Sequence, residues 1–281
     1  MMTVYPFPDP SAGPGVGPGG RPAAAGAPGT DFDGFAGLFD RFTAVWDWID
    51  PSFARWLAAQ LPARPGHGGT ALDLGCGAGR HSVLLAAHYT QVLAVDLSGP
   101  ILAIAEATRS RPGITYRQAD VLDIDPARHG RFDAVVSVNT LHHAGPADIV
   151  LPRVRSLAAP GGVVVVVDIV DPGGWTDPGF HLDRAFTDAR AAYHATGRTD
   201  VATDILNLLL HPQWLRMAAT DTPLTRDQFH HAYGQVFPGA DIVDDLHPLM
   251  AAAVWRNTDP EPVPAGGYGP GGGYGSGAGR G

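Results

Sequence analysis

The chain has no lysine: its 19 basic side chains are all arginine, set against 28 acidic ones, for a net charge of −9. That balance argues against a broad nucleic-acid footprint, because phosphate contacts draw on clustered cations. The single cysteine, Cys76, excludes an internal disulfide and agrees with a reducing compartment. No apolar run reaches the roughly 18 residues needed to span a bilayer, and the start lacks the basic-then-apolar order of a secretory leader. The expectation is a cytoplasmic chain with no membrane partner. H-E-x-x-H is also missing, and the histidine pairs at 142 and 230 lack companion ligands, so metal independence is the default.

What is present points to a globular protein. A hydrophobic share of 44% over 281 residues suffices for a substantial core. Residues 1–30 and 259–281 are dominated by Gly, Pro, Ala and Tyr-Gly repeats, which bury too little apolar area to offset the entropy of ordering them; both read as disordered tails. One domain, 31–258, lies between. It opens with a helical cap (31–69), where Phe35, Leu38, Phe39, Phe42, Val45, Trp46 and Ile49 fall at three- and four-residue steps, with Trp48 completing the aromatic stretch. Asp50 and Pro51 then mark a second helix start.

From residue 70 the pattern becomes alternating strand and helix. Strands are predicted at 70–74, 91–95, 114–118, 132–138 and 163–170, the last buried on both faces. Ser98 is the predicted N-cap of one intervening helix, and Pro152 predicts a kink or a late start in another. Residues 171–224 read as a helical insertion. A capping box at 225–228 opens a further helix, and strands at 241–246 and 251–256 form a hairpin, which makes the seventh strand antiparallel. The whole is an α/β, mostly parallel seven-stranded sheet with helices on both faces.

Such a sheet binds ligands beyond the carboxyl ends of its strands. In "ALDLGCGAGRHS" (71–82), Gly75, Gly77 and Gly79 supply a first strand-to-helix turn that a ligand can approach. Asp96 ends the second strand, placed to accept both hydroxyl hydrogens of a ribose. The third glycine of a dinucleotide fingerprint is replaced by Arg80, and no Lys-Ser/Thr follows, so dinucleotide and triphosphate loops both fail. Asp120 suits the exocyclic amine of adenine. Asp73, Asp96 and Asp120 together form an acidic rim fit for a cationic nucleoside.

These motifs resemble the class I S-adenosylmethionine-dependent methyltransferases over about residues 70–170, with a compatible ending at 225–257. The resemblance implies a Rossmann-like sheet and S-adenosylmethionine as cofactor. It implies donor contacts from Asp73, Gly75, Cys76, Gly77, Gly79, Asp96, Leu97, Asp120 and Val121, with Asn139 and Thr140 of "SVNTLHHAG" facing the methionine part. Pro160, Gly161 and Gly162 would form a structural turn. In-line attack on a sulfonium methyl needs mainly proximity and exclusion of water, and a base only for a hydroxyl or protonated amine. His142 is the candidate base; alternatively it and His143 hold their loop by hydrogen bonds. Cys76 is a small spacer or a reactive thiol. Trp175, His181 and Tyr193, in the insertion, are candidate acceptor contacts, and with the aromatic cap they would wall off an apolar pocket.

The favoured acceptor is a small, aromatic or polyketide-like metabolite methylated at O, N or C. Its rivals are a methyltransferase acting on protein or tRNA, a domain that binds the nucleoside without turnover, and a dehydrogenase. Oligomeric state is left open.

Overall fold

The computed structural model of the chain describes residues 31–49, 51–61 and 68–259. The expected tails lie outside these residues apart from Asp259, as do Asp50 and the side chain of Trp48. A 3-10 turn, Asp31–Phe35, leads into α1 (Ala36–Ile49), and α2 (Ser52–Gln60) follows Pro51. Then come β1 (Thr70–Leu74), α3 (Arg80–Ala86), β2 (Gln91–Asp96), α4 (Gly99–Arg109), β3 (Ile114–Gln118), α5 (Pro126–His129), β4 (Phe132–Val138), α6 (Leu141–Ala144), α7 (Ala147–Ser156) and β5 (Ala158–Ile169). The insertion is α8 (Pro178–Thr196), α9 (Thr199–Leu209) and α10 (Pro212–Thr220), and α11 (Arg226–Val236), β6 (Asp241–His247) and β7 (Met250–Arg256) complete the order.

The seven strands run in the order β3-β2-β1-β4-β5-β7-β6. The first five pair in parallel, and β7 is antiparallel to both β5 and β6. The short link between β6 and β7 permits only this hairpin. Alternation along β5 divides the core. Val164 and Val166 face α7 and α11 through Val150, Leu151, Val154, Phe229 and Phe237, while Val163, Val165 and Val167 face α2 and α3 through Leu57 and Leu85. A third apolar cluster lies off the sheet, where Phe35, Phe42 and Val45 of the N-terminal segment pack on Ala185, Ala189, Ile205, Leu208, Trp214 and Met217 of the insertion. The 3-10 turn and α1 of the expected cap thus form one helical layer with the insertion, whereas α2, placed in the same cap by its sequence, packs on the sheet.

Three expectations need correcting. β5 begins at Ala158, five residues before the predicted start at 163: residues 159–162 stand opposite Asp133 alone, so Pro160, Gly161 and Gly162 form a bulge within the strand. A Cβ on Gly162 would lie 2.8 Å from the Ala159 carbonyl oxygen, and the bulge is tied to Asn257 by Gly161 N–H to its carbonyl and by its own N–H to Gly162. The late start considered for the helix around Pro152 does not occur; α7 begins at Ala147 and keeps Pro152 in its interior. Burial of Val150, Leu151 and Val154 against the sheet outweighs the missing hydrogen bond. The second helix is capped at Pro51, with no side-chain hydrogen bond there.

Candidate active site

The sheet order reverses between β1 and β4, so the crevice beyond their carboxyl ends is where an open α/β sheet accepts a ligand. The loop after β1 is pinned to β2: Gly75 and Cys76 donate to the Val95 carbonyl at 2.8 and 2.9 Å. Gly75 and Gly79 adopt left-handed φ values of 70° and 83°. A Cβ at Gly75 would come within 2.1 Å of Thr140, and one at Gly79 within 2.3 Å of the Tyr116 hydroxyl. The chain's own side chains therefore demand two of the three glycines. Gly77 is left-handed as well, at φ 51°, but the nearest atom to its virtual Cβ is Ile101, 3.8 Å away, and that space remains open to a ligand.

Asp96 accepts the Gly77 N–H at 2.8 Å and the Ser98 N–H at 2.9 Å on its two oxygens. Each oxygen keeps a second lone pair, so the carboxylate can receive two hydroxyl hydrogens as well. Burial pushes its pKa upward, and the two N–H donors oppose that shift. Asp73 lies deeper, accepting the Ser82 hydroxyl at 2.6 Å; burial and the neighbouring Asp96 raise its pKa to about 7 despite that bond. Burial likewise pushes the Cys76 thiol well above its ordinary value, which fits a spacer and not a nucleophile. The Leu97 carbonyl receives Gln118 at 2.9 Å. Asp120 caps a 3-10 turn by accepting the Leu122 N–H at 2.8 Å, and Val121 sits at the edge of the core.

After β4, Asn139 holds a φ of 53°, the sole non-glycine left-handed residue among those described. Its Oδ1 is buried without a hydrogen-bond partner. An orphaned acceptor on a strained backbone at a crevice mouth is where a ligand donor fits. Thr140 reaches the Gly75 carbonyl at 3.4 Å and the Val138 carbonyl at 3.1 Å. The next turn brings the chain to a second feature, a cavity of 460 Å³ lined among others by Phe32, His142, His143, Asp168, Met217 and Asp221.

His142 is fixed on that wall. Its Nδ1 lies 2.5 Å from Asp168, and its backbone N–H donates to the same carboxylate at 3.0 Å. Burial opposes charge on the imidazole, but the charge and hydrogen bond of Asp168 outweigh it, and the pKa is raised. With Nδ1 engaged, Nε2 is the nitrogen left for chemistry. His143 lies beside it, tilted by 43° at 3.9 Å between ring centroids, with Nδ1 3.1 Å from Asp221 and its ring edge-on to Phe32. The insertion thus folds the Asp221 carboxylate back against the histidine pair, a contact that sequence spacing does not reveal.

The candidate acceptor residues fall elsewhere. Trp175 and His181 are buried against each other, the imidazole 2.6 Å from the Trp175 carbonyl, and Tyr193 is exposed on α8; none lines the cavity. Sequence reasoning missed Asp168, Asp221, Phe32 and Asp33, whose carboxylate receives the Ser98 hydroxyl at 2.6 Å. Only Asp168 carried a usable signal, as the one acid ending the apolar run "VVVVVD".

Comparison with known proteins agrees with this geometry. Residues 72–166 match the family described as a methyltransferase domain. An uncharacterized methyltransferase of Mycobacterium bovis is 38% identical over 101 residues, covering 36% of this chain and 51% of the relative. The trans-aconitate 2-methyltransferase of Methylobacterium nodulans is 32% identical over 168 residues, covering 57% and 61%. The chain therefore spans between half and three fifths of these relatives' lengths. Among solved structures, a Haemonchus contortus phosphoethanolamine N-methyltransferase superposes with a TM-score of 0.53 at 16% identity, over 77% of this chain and 46% of that one. A Haloferax volcanii protein solved with a methyltransferase activator gives 0.52 at 14%, over 81% and 98%. At those identities the likeness is one of fold.

Proposed function

We propose that the chain carries a class I S-adenosylmethionine-dependent methyltransferase domain and moves a methyl group onto a small-molecule O, N or C nucleophile held in the 460 Å³ cavity. One observation carries the reading. Four consecutive residues join the two halves of the site: Asn139 and Thr140 stand at the glycine-loop crevice, and His142 stands on the cavity wall. When bound, S-adenosylmethionine supplies an electrophilic methyl on a sulfonium centre. Asp96 would take the ribose hydroxyls on its spare lone pairs, Gly77 would leave room for the sugar, Asn139 Oδ1 and the charge of Asp73 would favour the positive end of the donor, and Asp120 would take the adenine amine.

Phe32 and Met217 line the cavity from the helical layer. For a hydroxyl or ammonium acceptor, His142 Nε2 accepts the departing proton while Asp168 holds the ring in position. A cavity of this size and mixed lining suits a metabolite. The trans-aconitate relative, named for a small acid, favours the same class over protein or tRNA.

Titration calorimetry with S-adenosylmethionine tests the donor half. Replacing Asp96 by Ala removes two charge-assisted hydrogen bonds and should weaken binding about 10- to 100-fold. Undiminished affinity in a folded variant overturns the reading. For the acceptor half, His142→Gln should cut release of S-adenosylhomocysteine roughly 10²- to 10⁴-fold with a hydroxyl acceptor. Binding without turnover across a broad acceptor panel would instead establish a nucleoside-binding domain.

A further inference from the structure

We propose that His142, His143 and Asp221 form a binding site for one divalent transition-metal ion of the zinc, cobalt or nickel kind. Each of the three offers a ligand atom, and these atoms lie within 4.8 Å of one another. His143 Nδ1 and Asp221 Oδ1 are 3.1 Å apart, the separation of two ligand atoms that each sit about 2.1 Å from one ion at near-tetrahedral or octahedral angles. Asp168 holds the Nδ1 of His142, which leaves Nε2 as the nitrogen that ring would offer. That arrangement matches the outer contacts of known metal sites. A metal-binding imidazole almost always passes its other ring nitrogen to an outer carboxylate, which fixes the tautomer and the aim of the ring, and buried Asp168 occupies that position.

The three ligands come from two directions, the turn after β4 and the end of α10, which sequence spacing cannot reveal. All three line the cavity, so solvent or a bound acceptor can fill the remaining coordination positions. Two imidazoles and one carboxylate favour borderline ions over magnesium or calcium, which prefer oxygen cages. The ion takes the same Nε2 lone pair that proton transfer uses, so metal occupancy and base catalysis by His142 are alternatives. Binding itself does not depend on the methyl-transfer reading, and it is measured with neither donor nor acceptor present.

The experiment uses the untagged full chain, treated with chelator and titrated with Co²⁺ followed by visible absorption and with Zn²⁺ followed by calorimetry. One equivalent should bind, and His143→Gln and Asp221→Asn should each weaken it at least about tenfold. Asp168→Asn, acting through the ring it orients, should cost about 10- to 100-fold. Circular dichroism melting shows that each variant is folded. Because the chain has 12 histidines, His230→Gln serves as a control at the other pair and should bind normally. Absence of stoichiometric binding overturns the proposal. So does binding that survives both His143→Gln and Asp221→Asn, or that is lost only in the control.

Discussion

A methyl group added at Gly75 has nowhere to go, because Thr140 lies 2.1 Å from where it would sit and the backbone is left-handed there. Gly75→Ala should therefore destabilise the fold by about 1–3 kcal/mol, read as a lower urea midpoint. The same substitution at Gly77 meets no close atom in the protein, but its backbone is left-handed too, at φ 51°, so it should cost about 1–2 kcal/mol of stability as well as weakening donor affinity. Asp73 gives a pH signature. Its pKa rises from an ordinary 3.8 to about 7 on folding, so the folded state holds a proton that the unfolded chain has released. The resulting stability is full below the unfolded value and is lost as pH climbs towards 7, on the order of a few kcal/mol. Thermal melts of the ligand-free protein should show that decline, and Asp73→Asn should flatten it. Since the ionised form suits a cationic donor, affinity for S-adenosylmethionine should strengthen as pH passes through 7.

Among the elements, those with local signals were readable from sequence. Ser98 caps α4 by accepting the Ile101 N–H at 3.4 Å, and Thr225 and Gln228 form the expected capping box on α11. Thr225→Ala should cost about 1 kcal/mol, lowering the urea midpoint without changing the m-value. Elements governed by distant contacts were less readable. Pro152 signals a disrupted helix locally, yet three buried neighbours hold α7 continuous through it. The bulge in β5 depends on Asn257, about a hundred residues away. The same limit applies to the site. The glycine loop and Asp96 belong to one short strand-helix-strand unit, so their pattern is visible in sequence, whereas Asp168 and Asp221 meet the His142–His143 pair only through the folded sheet and insertion. Trp175 and His181, attractive as polar aromatics, turned inward to pair with each other.

At the scale of the molecule, the helical layer has its own apolar cluster, and a small apolar contact of Ala36 and Phe39 with Ala78 and Ile101, together with a few polar ties, fastens it to the sheet domain near the crevice. Asp40 pairs with Arg109 of α4 at 2.9 Å, and Asp33 receives Ser98. A layer with its own core should open separately from the sheet. Native-state hydrogen exchange should show α1, α8 and α9 exchanging faster than β1, β4 and β5, with donor binding slowing residues 32–36 most. Equal protection throughout would mean a single cooperative unit. The sheet's pairing order also constrains assembly in the cell. β6 touches the sheet solely through β7, which comes after it in the chain and wedges between it and β5. On the ribosome, the apolar flank of β5 must therefore wait uncovered until residue 256 has emerged, leaving the nascent protein exposed to chaperones and to misassociation over that interval.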